Sequence, residues 1–213
     1  MENRMALNTK TIVHPRLHHL GLTTSDTEAM AGWYRTVLGM TIIHQTSSAI
    51  PGQPGAPAIK STWMTNDEAN HRIALVEVPG IEADTERSRH RRVQHFAFEF
   101  QSLAELLGTY VRLKAQDILP VLCTDAGLQT AFYYKDPDGN VVELNVDNFG
   151  NHLTSSEYLK TSPEFAANPM GLYVDADKMV AAHEDGASAW DIHVRARAGE
   201  FAPTSPYDPR VMM

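Results

Sequence analysis

Three residues of types that hold metal ions interrupt strand-like apolar runs. His19 stands in RLHHLGLTTSD, His95 in RVQHFAFEF and Glu143 in VVELNV. Alternate residues of a strand share a face. Leu20 and Leu22 therefore lie with His18, while His19, Gly21 and Thr23 face the other way. Phe96, Phe98 and Phe100 oppose His95, Ala97 and Glu99 in the same manner, and Val142, Leu144 and Val146 oppose Val141, Glu143 and Asn145. If these strands curl around one cleft, two imidazoles and one carboxylate converge. That is the facial triad suited to non-haem Fe(II), with coordination positions left open. The bland alternatives are satisfied core histidines and an edge strand with Glu143 in solvent.

The elements that must position these residues can be read from the pattern. Phe132–Leu144 predicts a β-hairpin, with Pro137 pre-setting φ and Gly139 supplying a positive φ in the turn DPDGN. Ser25 or Asp26 caps a helix over 27–38, with Met30, Trp33, Tyr34, Val37 and Leu38 at helical spacing, and Gly39 ends it. Strands are expected over 40–45, 59–65 and 71–78. After RVQHFAFEF, Ser102 caps a second helix running to Gln116, followed by strands over 119–124, 128–135 and 141–146. The order strand, helix, three strands thus occurs twice, at a spacing of about 75 residues.

The expected organisation is an N-terminal arm (1–13), a first module (14–79), a linker loop (80–92), a second module (93–148) and a C-terminal extension (149–213). Short helices are expected over 155–165 and 176–183, with an extended Pro-rich tail from Gly199. The loop AIPGQPGAPA reads as a surface excursion, and the basic cluster Arg87, Arg89, Arg91 and Arg92 as a solvated loop.

The 213 residues carry a formal charge of −8 and 43% apolar residues, enough for a core and the wrong sign for a nucleic-acid partner. Cys123 is the only cysteine, so no intrachain disulfide forms and a reducing cytoplasm is the expected setting. The first residues show no secretory h-region, and no apolar run reaches the ~18 residues of a membrane span.

The repeat, HLGLTTSD followed by WYRTVLGM, and DPDGNVVEL together resemble the vicinal oxygen chelate superfamily over about residues 16–147. That superfamily holds glyoxalases, epimerases, fosfomycin-type resistance proteins and type I extradiol dioxygenases. The resemblance implies an α+β fold in which paired βαβββ modules form a curled mixed sheet around a metal cleft. Its extradiol branch is favoured: His19, His95 and Glu143 fall on that branch's iron ligands, Tyr133 on its active-site tyrosine, and His71 in NHRIAL on its catalytic histidine. The pattern is not complete, since the branch carries a further histidine where this chain has Thr124.

The resemblance implies Fe(II), or Mn(II) with its similar ligand preferences. The partners it implies are a catechol-type diol of the 2,3-dihydroxybiphenyl kind and O2, and a homo-oligomer is expected. The alternatives are a glyoxalase-like isomerase or epimerase, for which Glu77 would supply a fourth ligand, and a metal-free drug-sequestering protein. His18 reads as a packing residue or as one that supports a neighbouring ligand, and His183 and His193 as surface residues of the tail.

Overall fold

The computed structural model describes residues 12–49, 55 and 57–212. Most of the expected N-terminal arm and most of the loop AIPGQPGAPA lie outside these residues. Strand β1 (Leu20–Thr24) leads into helix α1 (Thr27–Leu38), followed by β2 (Thr41–Ser48), β3 (Ile59–Thr65) and β4 (Ile73–Glu77). The second module repeats the order with β5 (Phe96–Phe100), α2 (Leu103–Lys114), β6 (Leu122–Asp125), β7 (Gln129–Lys135) and β8 (Val141–Asp147). The fold is α+β, with two curled mixed sheets of orders β1-β4-β3-β2 and β5-β8-β7-β6-β9, where β9 (Leu172–Tyr173) comes from the C-terminal segment.

Local chemistry explains the helix ends. Asp26 caps α1 by accepting from the amides of Glu28 and Ala29, and Gly39 closes it at φ 65°. Ser102 and Glu105 form a capping box on α2. That helix stops at Lys114, short of Gln116, because Asp117 turns the chain at φ 58° and the Ile118 amide returns to the Leu113 carbonyl.

Strand ends shift for similar reasons. Strand β6 begins at Leu122 instead of Leu119, since Pro120 lacks the amide a ladder needs. Strand β2 runs on to Ser48, paired with Ile59 of β3. In both modules the first strand lies parallel to the last, Gly21 opposite Ala74 and Ala97 opposite Glu143.

One apolar core joins the modules. Met30, Tyr34 and Leu75 of the first pack in the same cluster as Leu106, Phe132 and Leu144 of the second. Polar contacts reinforce the joint. The Tyr34 hydroxyl donates to Asp136 at 3.0 Å, and the Arg112 guanidinium caps the last carbonyls of α1 at Thr36 and Val37. Asp136 also accepts from the amides of Asp138 and Asn140, which tightens the DPDGN turn. Arg87, from the basic loop, donates to Asp138 and Asn140 and so serves the same turn.

The C-terminal segment departs most from expectation. The single helix expected over 155–165 is two, α3 (His152–Thr161) and α4 (Pro163–Ala167), broken where Ser162 caps α4 ahead of Pro163. Helix α5 (Ala176–Glu184) is followed by α6 (Ala189–Arg197), which had no strong sequence signal. Gly171, at φ 70°, lets the chain approach β6 so closely that a Cβ there would meet the Asp125 carbonyl at 2.0 Å. The tail is not simply extended: Phe201 is buried, and a 3-10 turn, Pro209–Met212, ends the described chain with Met212 buried.

Candidate metal and substrate site

The second sheet holds the anionic half of the site. Glu143 lies in the middle of β8, 2% exposed, with Tyr133 of β7 as its cross-strand neighbour. Its Oε1 accepts from Gln129 Nε2 at 2.6 Å and from Asn145 Nδ2 at 2.8 Å. Its Oε2 stands 2.9 Å from His95 Nε2, just before β5 begins. Burial pushes the Glu143 carboxyl up, but hydrogen bonds from His95, Asn145 and Tyr133 outweigh it and hold the group below the usual carboxylate range. The same contact with Glu143 raises His95 against the effect of its own burial. The Tyr133 ring meets the His95 ring edge-on at 5.8 Å. Burial first, then Glu143, push the Tyr133 phenol up, so it stays a protonated donor. Thr124, where the extradiol pattern has a histidine, is buried.

The first sheet holds a cluster of imidazoles. His19 precedes β1, and its ring lies 4.2 Å from that of His71, which precedes β4. His18 joins them, with its Nδ1 2.9 Å from His19 Nδ1, in contact with the candidate ligand. Desolvation, then the neighbouring His19 and His18, lower the His71 pKa and favour its neutral form.

Among the described residues, two groups of three or more His, Cys, Asp or Glu have donor atoms within 4.8 Å of one another. They are His18–His19–His71 and Glu99–Asp147–His152. The expected set is therefore divided: His19 is gathered with His71, and His95 with Glu143. Both halves border a cavity of about 500 Å³ lined by His18, His19, Arg72 and His95.

The donor types suit a divalent first-row ion: a carboxylate oxygen held in its ionised form lies 2.9 Å from an imidazole nitrogen of His95, and His18 and His19 line the same cavity as His95. Glu77 lies elsewhere. It pairs with Lys60 at 2.7 Å and accepts from the amide and hydroxyl of Thr27 at the start of α1. It shares the face of the buried Ile73 and Leu75, on the helix side of the sheet.

Sequence reasoning missed Gln129 and Asn145. Asn145 carried a usable signal, its i+2 spacing from Glu143, whereas Gln129 meets Glu143 only through strand register. His193 is another correction. Expected at the surface, it is buried, with Nδ1 2.7 Å from Asp125 Oδ2.

Paired βαβββ modules with a polar cleft define the class, and the comparisons with known proteins agree. The chain belongs to the Glyoxalase/Bleomycin resistance protein/Dioxygenase superfamily, whose family model matches residues 16–144. It is 32% identical over 192 residues to Biphenyl-2,3-diol 1,2-dioxygenase 2 of Rhodococcus globerulus, covering 90% of this chain and 94% of that protein. Biphenyl-2,3-diol 1,2-dioxygenase 3 of the same organism is also 32% identical, over 87% of this chain and 91% of its own length. Among solved structures, a glyoxalase/bleomycin resistance protein/dioxygenase domain from Frankia sp. EAN1pec shares the fold with a TM-score of 0.51 at 17% identity, covering 66% of this chain and 97% of its own.

Proposed function

We propose that the protein is a ring-cleaving extradiol dioxygenase that acts on a catechol-type diol with Fe(II) and O2. The observation that carries this reading is the pairing of His95 Nε2 with Glu143 Oε2 at 2.9 Å, beside Tyr133, with His95 lining a cavity that His19 also lines. The relatives named biphenyl-2,3-diol dioxygenases support it over nine-tenths of the chain. His19, His95 and Glu143 would hold the ion, and Mn(II) accepts the same donors. When bound, the ion supplies a Lewis-acidic, redox-active centre for diol and oxygen.

The chain's own groups do the rest. His71, neutral and beside His19, takes the proton of a diol hydroxyl and returns it later as an acid. Tyr133 donates to a diol oxygen and orients the ring. The buried side of the second sheet, with Glu143 2% exposed, keeps water from the anionic groups.

A glyoxalase-like reading calls on Glu77 as a fourth ligand, and Glu77 is engaged with Lys60 and Thr27 instead. A sequestering protein has no use for a buried, ionised Glu143. No described helix is long and apolar enough to cross a membrane. A cytoplasmic homo-oligomer remains part of the proposal.

Oxygen uptake by Fe(II)-loaded protein, handled anaerobically and given 3-methylcatechol or 2,3-dihydroxybiphenyl, tests the assignment. Ring-opened product with matching oxygen consumption is expected. No uptake with either diol, on protein shown to hold iron, would sink it.

A further inference from the structure

His95 is held from behind as well as in front. Its Nδ1 lies against Gln94 Oε1, and Gln94 Nε2 donates to the backbone carbonyl of Met212 at 3.2 Å. The hydrogen-bonding inventory gives this row a direction. A backbone carbonyl only accepts, so the amide nitrogen of Gln94 faces Met212 and its amide oxygen faces the ring. That oxygen also only accepts, so Nδ1 of His95 carries the hydrogen. Nε2, which hydrogen-bonds the Glu143 carboxylate in this structure, is then the nitrogen at which a cation would replace hydrogen.

The carbonyl that sets this direction is 118 residues away in sequence and is itself seated by packing. Met212 is 5% exposed and clusters with Leu122, Ala131, Tyr133 and Val141. Just upstream, Tyr207 meets Tyr173 of β9 edge-on at 5.9 Å and joins the same cluster. The turn Pro209–Met212 thus reaches two residues of the site by different means: His95 through Gln94, and Tyr133 through apolar packing.

We propose that this turn is a working part of the metal site. Through Gln94, the Met212 carbonyl fixes the His95 tautomer and presents Nε2 as the ligand atom. Gln94 and Met212 are positioning residues, and the inference rests on the reading of His95 as a metal ligand.

The test uses Zn(II) as a probe in competition with a chromophoric chelator. The proteins are the full chain, Gln94→Leu, Gln94→Glu, and each of the full-chain and Gln94→Glu forms shortened to end at Val211. Gln94→Leu should weaken Zn(II) binding about tenfold, the usual worth of an outer partner of a ligand histidine. Gln94→Glu should recover most of that loss, since its two equivalent oxygens need no carbonyl to orient them. Removal of Met212 and Met213 should therefore weaken binding severalfold in the parent and hardly at all in the Gln94→Glu background.

A purely structural role for the tail would cost both backgrounds equally, and that result overturns the proposal. So does a Gln94→Leu protein that binds Zn(II) like the parent. Should Gln94→Leu fail to fold, the two shortened chains decide the matter alone. A second readout is 15N NMR of histidine-labelled, Zn(II)-loaded protein, where His95 should carry hydrogen on Nδ1; metal at Nδ1 overturns the proposal. A parent chain that binds no Zn(II) fails the metal reading itself, which is distinct from a bound parent with an indifferent Gln94.

Discussion

The two modules place different residues at matching positions. Strand register sets Gly21, Ala74 and Trp63 in one row of the first sheet, and Ala97, Glu143 and Tyr133 in the corresponding row of the second. The carboxylate and the phenol have no counterparts in the first module, where an alanine and a tryptophan stand. Burial differs in the same sense. Strand β6 is buried along its whole length, whereas its counterpart β2 is mostly exposed. The cause is the C-terminal segment, which adds β9 to the second sheet, packs Met179 and Ile192 into the core, and seats Met212 beside Tyr133. Repeated topology therefore supplies two frames, and the covering segment decides which becomes a low-dielectric site. A buried carboxylate acts more strongly on a cation than an exposed one, and among the described residues of the two modules the second alone provides one.

The largest expected effect tests that asymmetry directly. Glu143→Gln keeps the shape and removes the charge, and turnover with a catechol should fall by roughly 1,000-fold as metal is lost, a change of several kcal/mol in the barrier. Metal content and oxygen uptake check it together. Unchanged metal content would mean that the second module is not the anionic half. Next comes His71→Gln in the first module, which should keep its metal and still bind a catechol while turnover falls by roughly 100-fold. Metal lost with this substitution would make His71 a ligand and shift the centre of the site toward the first module.

A third test concerns the covering segment. His193 of α6 and Asn148 both reach the carboxylate of Asp125, which is 0% exposed. His193→Ala leaves that carboxylate without its imidazole partner, and the cost should be about 2–3 kcal/mol in urea denaturation. A loss under about 0.5 kcal/mol would show that the segment is held by its other contacts.

Much of this asymmetry was legible in the sequence, because strand parity is a local property. Phe96, Phe98 and Phe100 pack toward the core, and Ala97 and Glu99 do not, as alternation requires. The αL glycine at 39 and the aspartate cap at 26 were readable for the same reason. Parity holds only within a strand: His71 and Glu77 share odd numbering, but His71 lies before β4 begins, and Glu77 faces α1. The long-range pairings were not readable at all. Nothing local joins His193 to Asp125, Gln94 to Met212, or Tyr34 to Asp136. These contacts depend on where an irregular C-terminal segment and two separate modules come to rest, which a one-dimensional pattern does not encode.

The smallest expected effect lies at the junction of sheet and helix, where the modules again differ. Strand register puts Glu77 of β4 and Val146 of β8 in matching places, opposite Thr24 and Phe100. Val146 is buried in the core, whereas Glu77 binds the start of α1 through Thr27 and pairs with Lys60. The first-module junction should therefore respond to pH and the second should not. The Lys60 contact, helped by the two Thr27 donors, holds the Glu77 carboxyl down at about 2, against an ordinary value of 4.5. A carboxyl lowered in the folded state contributes stability that is fully present above its unfolded value and lost as pH falls. The window is thus from about pH 4.5 down to about 2. Melting temperatures of the parent should fall more steeply across it than those of Glu77→Gln, with a small, constant difference above pH 5. Parallel curves through the whole window would mean that Glu77 is solvated like any surface carboxylate, and that the two junctions differ in residue type but not in how they hold their helices.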